Sequence, residues 1–416
     1  MNGKKEMSFM HDRHAGNATG RAGVVVGVWL RRLGPPVVAF VLVRMLLALA
    51  LARATPFASV WQGSTWARWD SGHYLNIAQH GYDYFPCPHD AARACGNAGW
   101  MPGYPYLMAP LVRAIASTAG ERGVDARPAA IGAGVSAAFC LLTLVWLWIF
   151  FLKCKLDLHS GVALLFFAVA PGAVYQHAVF PVSMFLFLAL VQAVCLFRGR
   201  WVWAGLCGAL AAFTYSTGFL LAPVAAACAA IFQTGTLRVR LRASLLSGGI
   251  SALGFLAVLV LHQLQLGVWD AFVQVQAKYG HGMHNPMDTW LGATHALPQG
   301  GSTSAQIISI QTVFVGATLV LALGALVVFL RRGRRLPAAD SSQAAPEIWA
   351  IVYALPFWCM PLIMGAGVSM YRAESLLAPL AILLRSTKVA VAVLWLAFAG
   401  WLFLRMAELF FNGTLI

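Results

Sequence analysis

Polar and aromatic side chains are concentrated between residues 66 and 82, in a chain that is otherwise mostly apolar. Asp70 lies at the centre of this stretch, and a carboxylate can act as a general base by taking a proton from a hydroxyl group. His73 and Tyr74 follow three and four residues later, which places them beside Asp70 if the segment is helical. There they could orient the carboxylate or bind the hydroxyl groups of a substrate.

The same stretch carries the signals of a short helix over residues 71–79. Asp is favoured at the N-cap, where its carboxylate accepts hydrogen bonds from free backbone N–H groups, and Gly81 suits the C-terminal stop. A second interpretation of Asp70 is therefore a helix cap alone, with the aromatic residues forming a belt at a membrane surface. The residues by themselves do not decide between a base and a cap.

The composition indicates a membrane protein. Of 416 residues, 60% are hydrophobic and only 10% are charged, whereas soluble domains carry about 25% charged residues. Many apolar runs approach the length of about 20 residues that spans a bilayer. We predict an all-α fold, a polytopic bundle of about 11–13 transmembrane helices. It forms one membrane domain over residues 33–416, after a cytoplasmic leader at residues 1–32.

The net charge of +15 is interpreted as a topology signal rather than a nucleic-acid site, because the basic residues lie in short connections between apolar runs. The positive-inside rule assigns these connections to the cytoplasm: those with Lys153, Arg198, Arg238–Arg242, Arg331–Arg335 and Arg385. The other connections are then extracytoplasmic: residues 53–127, 175–183, 215–218, 267–306 and 369–375. The apolar run 104–119 is short for a span, and a re-entrant segment, an interfacial helix and a full crossing remain open.

Every cluster of residues that could do chemistry falls on the outer side. The acidic residues assigned to it are Asp70, Asp83, Asp90, Glu121, Asp125, Asp270, Asp288 and Glu374. Asp83 is the second choice for a base, although a solvated loop carboxylate is the simpler interpretation. Arg372, at the outer entrance of a late apolar run, offers the planar donor fork that suits a phosphate. A contact of Arg372 with Glu374 or with lipid headgroups is the alternative.

The second outer loop, residues 267–306, supplies further candidates. We expect residues 272–284 to form an amphipathic interfacial helix that lines the site, with Lys278 in contact with substrate. His281 and His284 could be metal ligands, but they have no evident carboxylate partner. We therefore assign no metal site, although a divalent metal is compatible with the sequence. His177, in another outer connection, is either a hydrogen-bonded loop residue or a contact for the donor.

Cys87 and Cys95 differ from most of the 8 cysteines, which lie in apolar runs and behave as small hydrophobic residues. These two flank a polar stretch of the first outer loop, where an oxidising exterior allows a disulfide. The alternative is a metal site with His89 and Asp90, but the spacing fits no common zinc pattern. We predict the disulfide.

The segment Trp69-Asp-Ser-Gly-His-Tyr-Leu75, with Ile-Ala at 77–78 and Gly-Tyr at 81–82, resembles the first-loop motif of the PIG-V-like mannosyltransferases. These are integral-membrane glycosyltransferases of the GT-C type. Residues 101–105 are similar to the family's Phe-Pro-x-Tyr-Pro element, with Met in place of Phe. The chain also departs from the family, because residues 215–218 lack the Arg of an Arg-Ser-Asn-Gly element and residues 180–183 lack a Glu that often follows Ser.

This resemblance implies a GT-C-like fold and the transfer of a sugar, mannose in this family, from a polyprenyl-phosphate-linked donor. The acceptor would be a hydroxyl group on the extracytoplasmic face, of a glycolipid, a protein or a cell-wall glycan. Transfer would proceed with inversion at the anomeric carbon, with Asp70 as the general base. We expect substrate contacts from His73, Tyr74, Asp83, His177, Lys278 and Arg372.

Two other classes of function stay open. A lipid or sugar transporter or flippase usually shows internal repeats and ionisable residues within its spans. This chain shows no repeat, and few such residues besides Arg44 and Arg405. The departures from the family pattern also allow a catalytically degenerate member. The abundance of Ala, Gly and Arg, with no organelle signal, favours a multi-pass protein of a bacterial plasma membrane, with the bilayer and a lipid-linked donor as its partners and no nucleic acid.

Overall fold

The computed structural model describes residues 6–116, 127–280, 282–333, 345–365 and 370–415. Glu121, Asp125, His281, Arg334 and Arg335, for which the sequence makes predictions, lie outside the described residues. Within the described residues the chain forms α-helices, a few short 3₁₀ and π segments, and one small β-hairpin.

The α-helices are α1 (Glu6–Ala54), α2 (Gly63–Trp66), α3 (Ser71–His80), α4 (Gly103–Ala116), α5 (Arg127–Trp146), α6 (Leu158–Ala168), α7 (Val182–Phe197), α8 (Trp201–Thr214), α9 (Leu221–Phe232), α10 (Leu237–Ser244), α11 (Ile250–Leu266), α12 (Ala271–Ala277), α13 (Pro286–Thr294), α14 (Ala296–Gln299), α15 (Thr303–Gly333), α16 (Ala345–Ile363), α17 (Met370–Glu374) and α18 (Val389–Phe411). The hairpin consists of β1 (Tyr84–Cys87) and β2 (Asp90–Gly96), which pair antiparallel.

In the described part of the chain, six helices are long and apolar enough to cross a membrane: Trp29–Ala54, Arg127–Phe151, Leu237–Leu266, Thr303–Gly324, Ala345–Ile363 and Val389–Phe411. Shorter apolar helices accompany them: Leu158–Ala168, Val182–Phe197, Trp201–Thr214 and Gly218–Phe232. The predicted all-α polytopic bundle is confirmed. The described part has fewer full-length spans than the predicted 11–13 helices, because the apolar runs between residues 158 and 232 fold into helices shorter than a span.

The late apolar run that follows Arg372, residues 376–384, has a different backbone from the other apolar runs. It forms the 3₁₀ helix Ser375–Ser386, which contains Pro379 and is mostly buried against α6 and α16. A 3₁₀ helix rises about 2.0 Å per residue, so these 12 residues reach further than the same number in an α-helix. This segment links α17 to the basic connection before α18.

The basic connections meet at one end of the bundle. Arg31 donates through Nε to the carbonyl of Cys154, which follows α5, at 3.1 Å. Arg385, before α18, donates to the carbonyl of Phe151 at 2.7 Å and lies 3.7 Å from Glu347 of α16. The connection after α7 also lies at this end, because its Arg198 makes a cation–π contact with the ring of Phe150, which follows α5. Three of the basic connections that the positive-inside rule groups together, those with Lys153, Arg198 and Arg385, are therefore close in space.

The opposite end carries the long loop between α1 and α5. The disulfide between Cys87 and Cys95 joins the two strands of the hairpin. Helix α12 packs on β2, and Gln276 of α12 donates through Nε2 to the carbonyl of Gly99 at 2.7 Å. The first and second outer loops therefore form one layer. Helix α4 lies within the apolar run 104–119, for which the sequence does not decide between a re-entrant segment, an interfacial helix and a full crossing. It has 14 residues and packs on α3, α5 and α8.

Candidate active site

Asp70 and Arg372 form an ion pair, although 302 residues separate them in the sequence. Nη1 of Arg372 donates to Oδ2 of Asp70. Asp70 comes from the first outer loop, directly before α3, and Arg372 comes from α17. Both side chains are largely withdrawn from solvent, with 27% of Asp70 and 15% of Arg372 exposed. The candidate base and the candidate phosphate-binding cation thus occupy one place.

Asp70 holds the N-cap position of α3, but its carboxylate does not cap the helix. The helix runs from Ser71 to His80 and ends at Gly81, close to the predicted 71–79. Its first N–H groups receive no hydrogen bond from the Asp70 side chain. The prediction that this carboxylate caps α3 is wrong, because the carboxylate is turned to Arg372 instead. A helix cap therefore does not explain why an acid stands here.

Hydrogen bonds to other elements anchor the turn that carries this carboxylate. The buried hydroxyl of Ser71 donates to the carbonyl of Val179 at 3.1 Å and accepts from the N–H of Arg68 at 3.0 Å. The N–H of Val179 donates to the carbonyl of Trp66 at 3.0 Å. The guanidinium of Arg68 donates to the carbonyl of Ser64 at 3.0 Å. The backbone that carries the Asp70 carboxylate is thus fixed by hydrogen bonds on both sides.

Aromatic side chains form a wall around the Arg372 guanidinium. The ring of Phe180 has its centroid 5.7 Å from the guanidinium carbon, and Tyr74, Tyr175 and Tyr215 lie close enough to interact with its charge. Burial acts to lower the pKa of Arg372, but its carboxylate partner and these tyrosines outweigh burial and raise the pKa above its ordinary value. Phe180 and Tyr215 belong to the two motifs in which the chain departs from the family pattern.

A buried glutamine fixes α17, which carries Arg372. Gln311 of α15 donates through Nε2 to the carbonyl of Tyr371 at 3.0 Å and to Oε2 of Glu374 at 2.7 Å. Burial raises the pKa of Glu374 to about 7, against the opposing effect of the hydrogen bond from Gln311. Sequence reasoning missed Gln311, whose only signal is a polar residue within an apolar run.

His73 and Tyr74 lie beside the ion pair, as their spacing predicts. The imidazole of His73 stacks on the indole of Trp100, with ring centroids 3.5 Å apart and planes 15° from parallel. Burial lowers the pKa of His73, partly offset by the charge of Asp70, so the neutral imidazole is favoured near pH 7. The buried ring of Tyr74 meets that of Tyr104 edge-on at 5.7 Å.

Asp83 and Lys278 belong to the layer of outer loops. Oδ1 of Asp83 accepts from the N–H of Asn97 at 2.6 Å, and Oδ1 of Asn97 accepts from the N–H of Asp83 at 2.9 Å. This reciprocal pair closes the base of the hairpin, which gives Asp83 a structural task. Nζ of Lys278 lies 3.7 Å from Sγ of Cys95. The charges of both residues act on the nearby His73.

His177 lies in the interior, against α1 and α5. Its Nε2 is 3.6 Å from Sγ of Cys140, and its ring centroid is 5.7 Å from that of Phe40. Burial and then the positive charge of Arg44 lower the pKa of His177 to about 3, so the imidazole is neutral. The contacts found for His177 within the described chain do not include Asp70 or Arg372.

The cysteine pair in the hairpin is bonded, so its sulfur atoms do not serve as metal thiolates beside His89 and Asp90. Within the described ranges, no group of three or more His, Cys, Asp or Glu residues could hold a metal ion. His284, which the sequence offers as a possible metal ligand, has its Nε2 3.2 Å from the carbonyl oxygen of Gly280.

The chemistry available at this site follows from the pair. A carboxylate can take a proton from a hydroxyl group, and a guanidinium can bind a phosphate and stabilise charge that develops on it. Because an arginine has five N–H donors, one side chain can contact a carboxylate and a phosphate together. Neutral groups, the His73 imidazole and the surrounding tyrosines, complete the lining.

No protein-family model matches the chain, and no curated protein matches it. Its structure is similar to that of the archaeal oligosaccharyltransferase AglB from Archaeoglobus fulgidus in complex with an inhibitory peptide and a dolichol-phosphate. The TM-score is 0.50 at 14% identity, and the match covers 92% of this chain and 56% of that chain. A structure of the Archaeoglobus fulgidus oligosaccharyltransferase tethered with an acceptor peptide gives a TM-score of 0.49 at 14% identity, covering 93% and 56% of the two chains. This chain spans little more than half the length of these proteins, and the match shows that its fold is similar to that of the corresponding part of AglB.

Proposed function

We propose that this protein transfers a sugar from a polyprenyl-phosphate-linked donor to an acceptor hydroxyl group at the outer face of a membrane. The observation that carries the proposal is the ion pair of Asp70 and Arg372, which brings a carboxylate and a guanidinium together from distant parts of the chain. A solved structure with the same fold is described as a complex with a dolichol-phosphate, which is a polyprenyl phosphate, and this supports a lipid-linked donor here.

In the proposed reaction, Asp70 takes the proton of the acceptor hydroxyl while the acceptor oxygen forms a bond to the anomeric carbon of the donor sugar. The bond between that carbon and the phosphate oxygen breaks, and the electron pair leaves with the polyprenyl phosphate. Arg372 stabilises the charge on the departing phosphate by paired N–H donors. Attack opposite to the leaving group inverts the anomeric carbon.

Before the donor binds, the two charged residues contact each other. Binding of a phosphate would give the Arg372 guanidinium a second anion and would loosen its hold on Asp70. The carboxylate would then be available to the acceptor hydroxyl. His73 and Tyr74 would orient the acceptor beside it, while Asp83 and Lys278 support the layer of loops above.

The finer points of the proposal come from the resemblance to the PIG-V-like mannosyltransferases. Mannose is the sugar that this resemblance favours, and a bacterial plasma membrane is the location that the composition favours. A role of His177 as a donor contact receives no support from its position, because it is enclosed by α1 and α5.

Transfer can be tested with the purified protein in liposomes that contain polyprenyl-phosphate-[³H]mannose and a membrane extract as the source of acceptors. We expect label in a new product with the wild type and little with Asp70→Asn. Asp90→Asn is the matched control, because Asp90 is an exposed outer-loop carboxylate paired with Arg93 at 3.0 Å. Movement of intact donor across the bilayer without transfer would indicate a flippase and contradict the proposal.

A further inference from the structure

Trp69 has an unusual backbone conformation directly before Asp70. Its φ angle is 50°, in the left-handed region that bulky L-residues rarely adopt because Cβ crowds the neighbouring carbonyl. Among the described non-glycine residues, only Lys153 and Cys154 share a positive φ. A glycine would adopt this conformation without strain. The strain therefore argues that the indole side chain has a use at this position.

The surrounding structure holds Trp69 in this strained conformation. The N–H of Ser71 donates to the carbonyl of Arg68 at 3.0 Å, and the N–H of Gly72 donates to the carbonyl of Trp69 at 3.1 Å. The Ser71 hydroxyl connects this turn to Val179, as described above. Strained residues persist where their surroundings over-determine them, and they cluster at binding sites.

The indole of Trp69 is not explained by packing. It is 48% exposed, whereas the nearby Trp66 is buried, donates to the carbonyl of Val60 at 2.8 Å and meets the ring of Phe411 edge-on. The partly exposed Trp69 directly precedes the candidate base, Asp70, in the chain. Arg372 lies deeper, with most of its surface covered. An acceptor that approaches from the outer aqueous side would therefore meet Trp69 as it reaches Asp70.

We propose that Trp69 is a sugar-binding platform, on which a pyranose ring of a carbohydrate acceptor stacks so that one of its hydroxyl groups faces Asp70. The C–H groups on one face of a pyranose are suited to the electron-rich face of an indole. This inference rests on the proposed function and deepens it, because it makes the acceptor a glycan rather than a protein hydroxyl.

Four variants test the platform: Trp69→Phe, Trp69→Ala, Trp69→Gly and the control Trp61→Ala. Trp61 is another outer-loop tryptophan and is 88% exposed. Binding of methyl α-D-mannopyranoside to each detergent-purified protein is measured by saturation-transfer NMR, which needs no turnover. We expect Trp69→Phe and Trp61→Ala to keep binding. Loss of ring stacking should weaken binding roughly 3- to 10-fold in Trp69→Ala and Trp69→Gly.

The melting temperatures of the same variants test the strain. At an ordinary position Gly is less favourable than Ala, but at a positive φ the order reverses. We expect the Gly variant to melt about 1 °C above the Ala variant, because a chain of this length has a large entropy of unfolding. The Ala variant melting at or above the Gly variant would contradict a strained backbone at this position and, with it, the basis of the inference.

Other outcomes would overturn the platform itself. No binding by the wild type, equal binding by all variants, or the same loss in Trp61→Ala as in Trp69→Ala would make Trp69 an interfacial anchor at most. The platform and the proposed function fail separately. A wild type that binds the pyranoside through Trp69 but transfers no label refutes the transfer reaction alone. Active transfer with an acceptor KM unchanged in Trp69→Ala refutes the platform alone.

Discussion

An arginine–carboxylate pair lies at each end of the bundle. At the basic end Arg385 lies 3.7 Å from Glu347, with 17% and 21% of the two side chains exposed. At the outer end Arg372 pairs with Asp70, with 15% and 27% exposed. The two pairs thus have the same chemistry and similar burial, but their surroundings differ.

At the basic end the arginine is part of the framework. Arg385 also donates to the carbonyl of Phe151 at 2.7 Å, so that one side chain links the end of α5, the start of α16 and the 3₁₀ helix. At the outer end a hydrogen bond fixes the backbone of the arginine, since the hydroxyl of Ser375 donates to the carbonyl of Arg372 at 2.6 Å. Buried ion pairs are often no more stabilising than apolar packing, so stability alone does not account for the outer pair, and the proposed transfer reaction would give it a task.

The largest expected effect is the difference in sugar transfer between a substitution of Asp70 and one of Glu347. Asp70→Asn keeps the shape of the side chain but removes the proton acceptor, so transfer by the folded protein should fall about 10²- to 10⁴-fold, beyond any stability lost with the ion pair. Glu347→Gln should do the reverse, with a lower melting temperature and the specific activity of the folded protein retained. Labelled-sugar transfer and thermal unfolding in detergent check both variants. A fully active Asp70→Asn would remove Asp70 from the mechanism and pass the role to Asp83.

A similar contrast is expected between the two arginines. Arg372→Lys keeps the charge but loses the planar fork that binds two phosphate oxygens, so kcat/KM for the donor should fall roughly tenfold or more, or about 1.4 kcal/mol. Arg385→Lys should weaken the framework and leave kcat/KM for the donor near the wild-type value. Initial rates at varied donor concentration provide the measurement. Equal kinetics for Arg372→Lys and the wild type would make Arg372 an interfacial charge only.

The buried Glu374 makes a pH-dependent contribution to stability. Its pKa is raised to about 7 in the folded protein, above the ordinary value, so the folded state binds the proton more tightly than the unfolded state. Stability from this group is therefore present at low pH and is lost as pH rises toward 7. Glu374→Gln should match the wild type near pH 5 and melt higher near pH 8. A parallel pH dependence of the two melting temperatures would contradict this.

The smallest effect on sugar transfer is expected from the hairpin disulfide. In Cys87→Ser with Cys95→Ser the crosslink is lost, and the closed loop should lose roughly 2–3 kcal/mol of stability, mainly through the unfolded state. We expect faster hydrogen exchange in residues 84–96 and a change in transfer smaller than in the charge variants. Mass spectrometry of non-reduced peptides checks the bond in the native protein. Two free thiols there would contradict the structure of the hairpin.

The sequence identifies both members of the outer pair but not their contact. Asp70 is marked by a local motif and Arg372 by its place at the entrance of an apolar run, whereas a contact across 302 residues depends on the whole fold. Local helix signals predicted α3 to within one residue. These signals did not predict the partner of the Asp70 carboxylate, because the carboxylate pairs with Arg372 from another element instead of the backbone N–H groups of α3.

Hydropathy predicts the class of fold better than the individual helices. The long apolar runs at Thr303–Gly324 and Val389–Phe411 are helices of spanning length, since a continuous apolar run has few other solutions in a bilayer. The 3₁₀ backbone of Ser375–Ser386 has no distinct signal, because its composition resembles that of the apolar α-helices. The role of Gln311 depends on a tertiary contact with α17, which one residue in an apolar helix does not reveal.

Binding of polyprenyl phosphate, measured without any acceptor, tests most directly whether Asp70 and Arg372 share one site with divided tasks. The carboxylate and the phosphate compete for the same guanidinium, so Asp70→Asn should bind polyprenyl phosphate more tightly than the wild type although its transfer is lost. Arg372→Lys should bind it more weakly. Weaker binding in Asp70→Asn, or unchanged binding in Arg372→Lys, would contradict the division of tasks between the two residues.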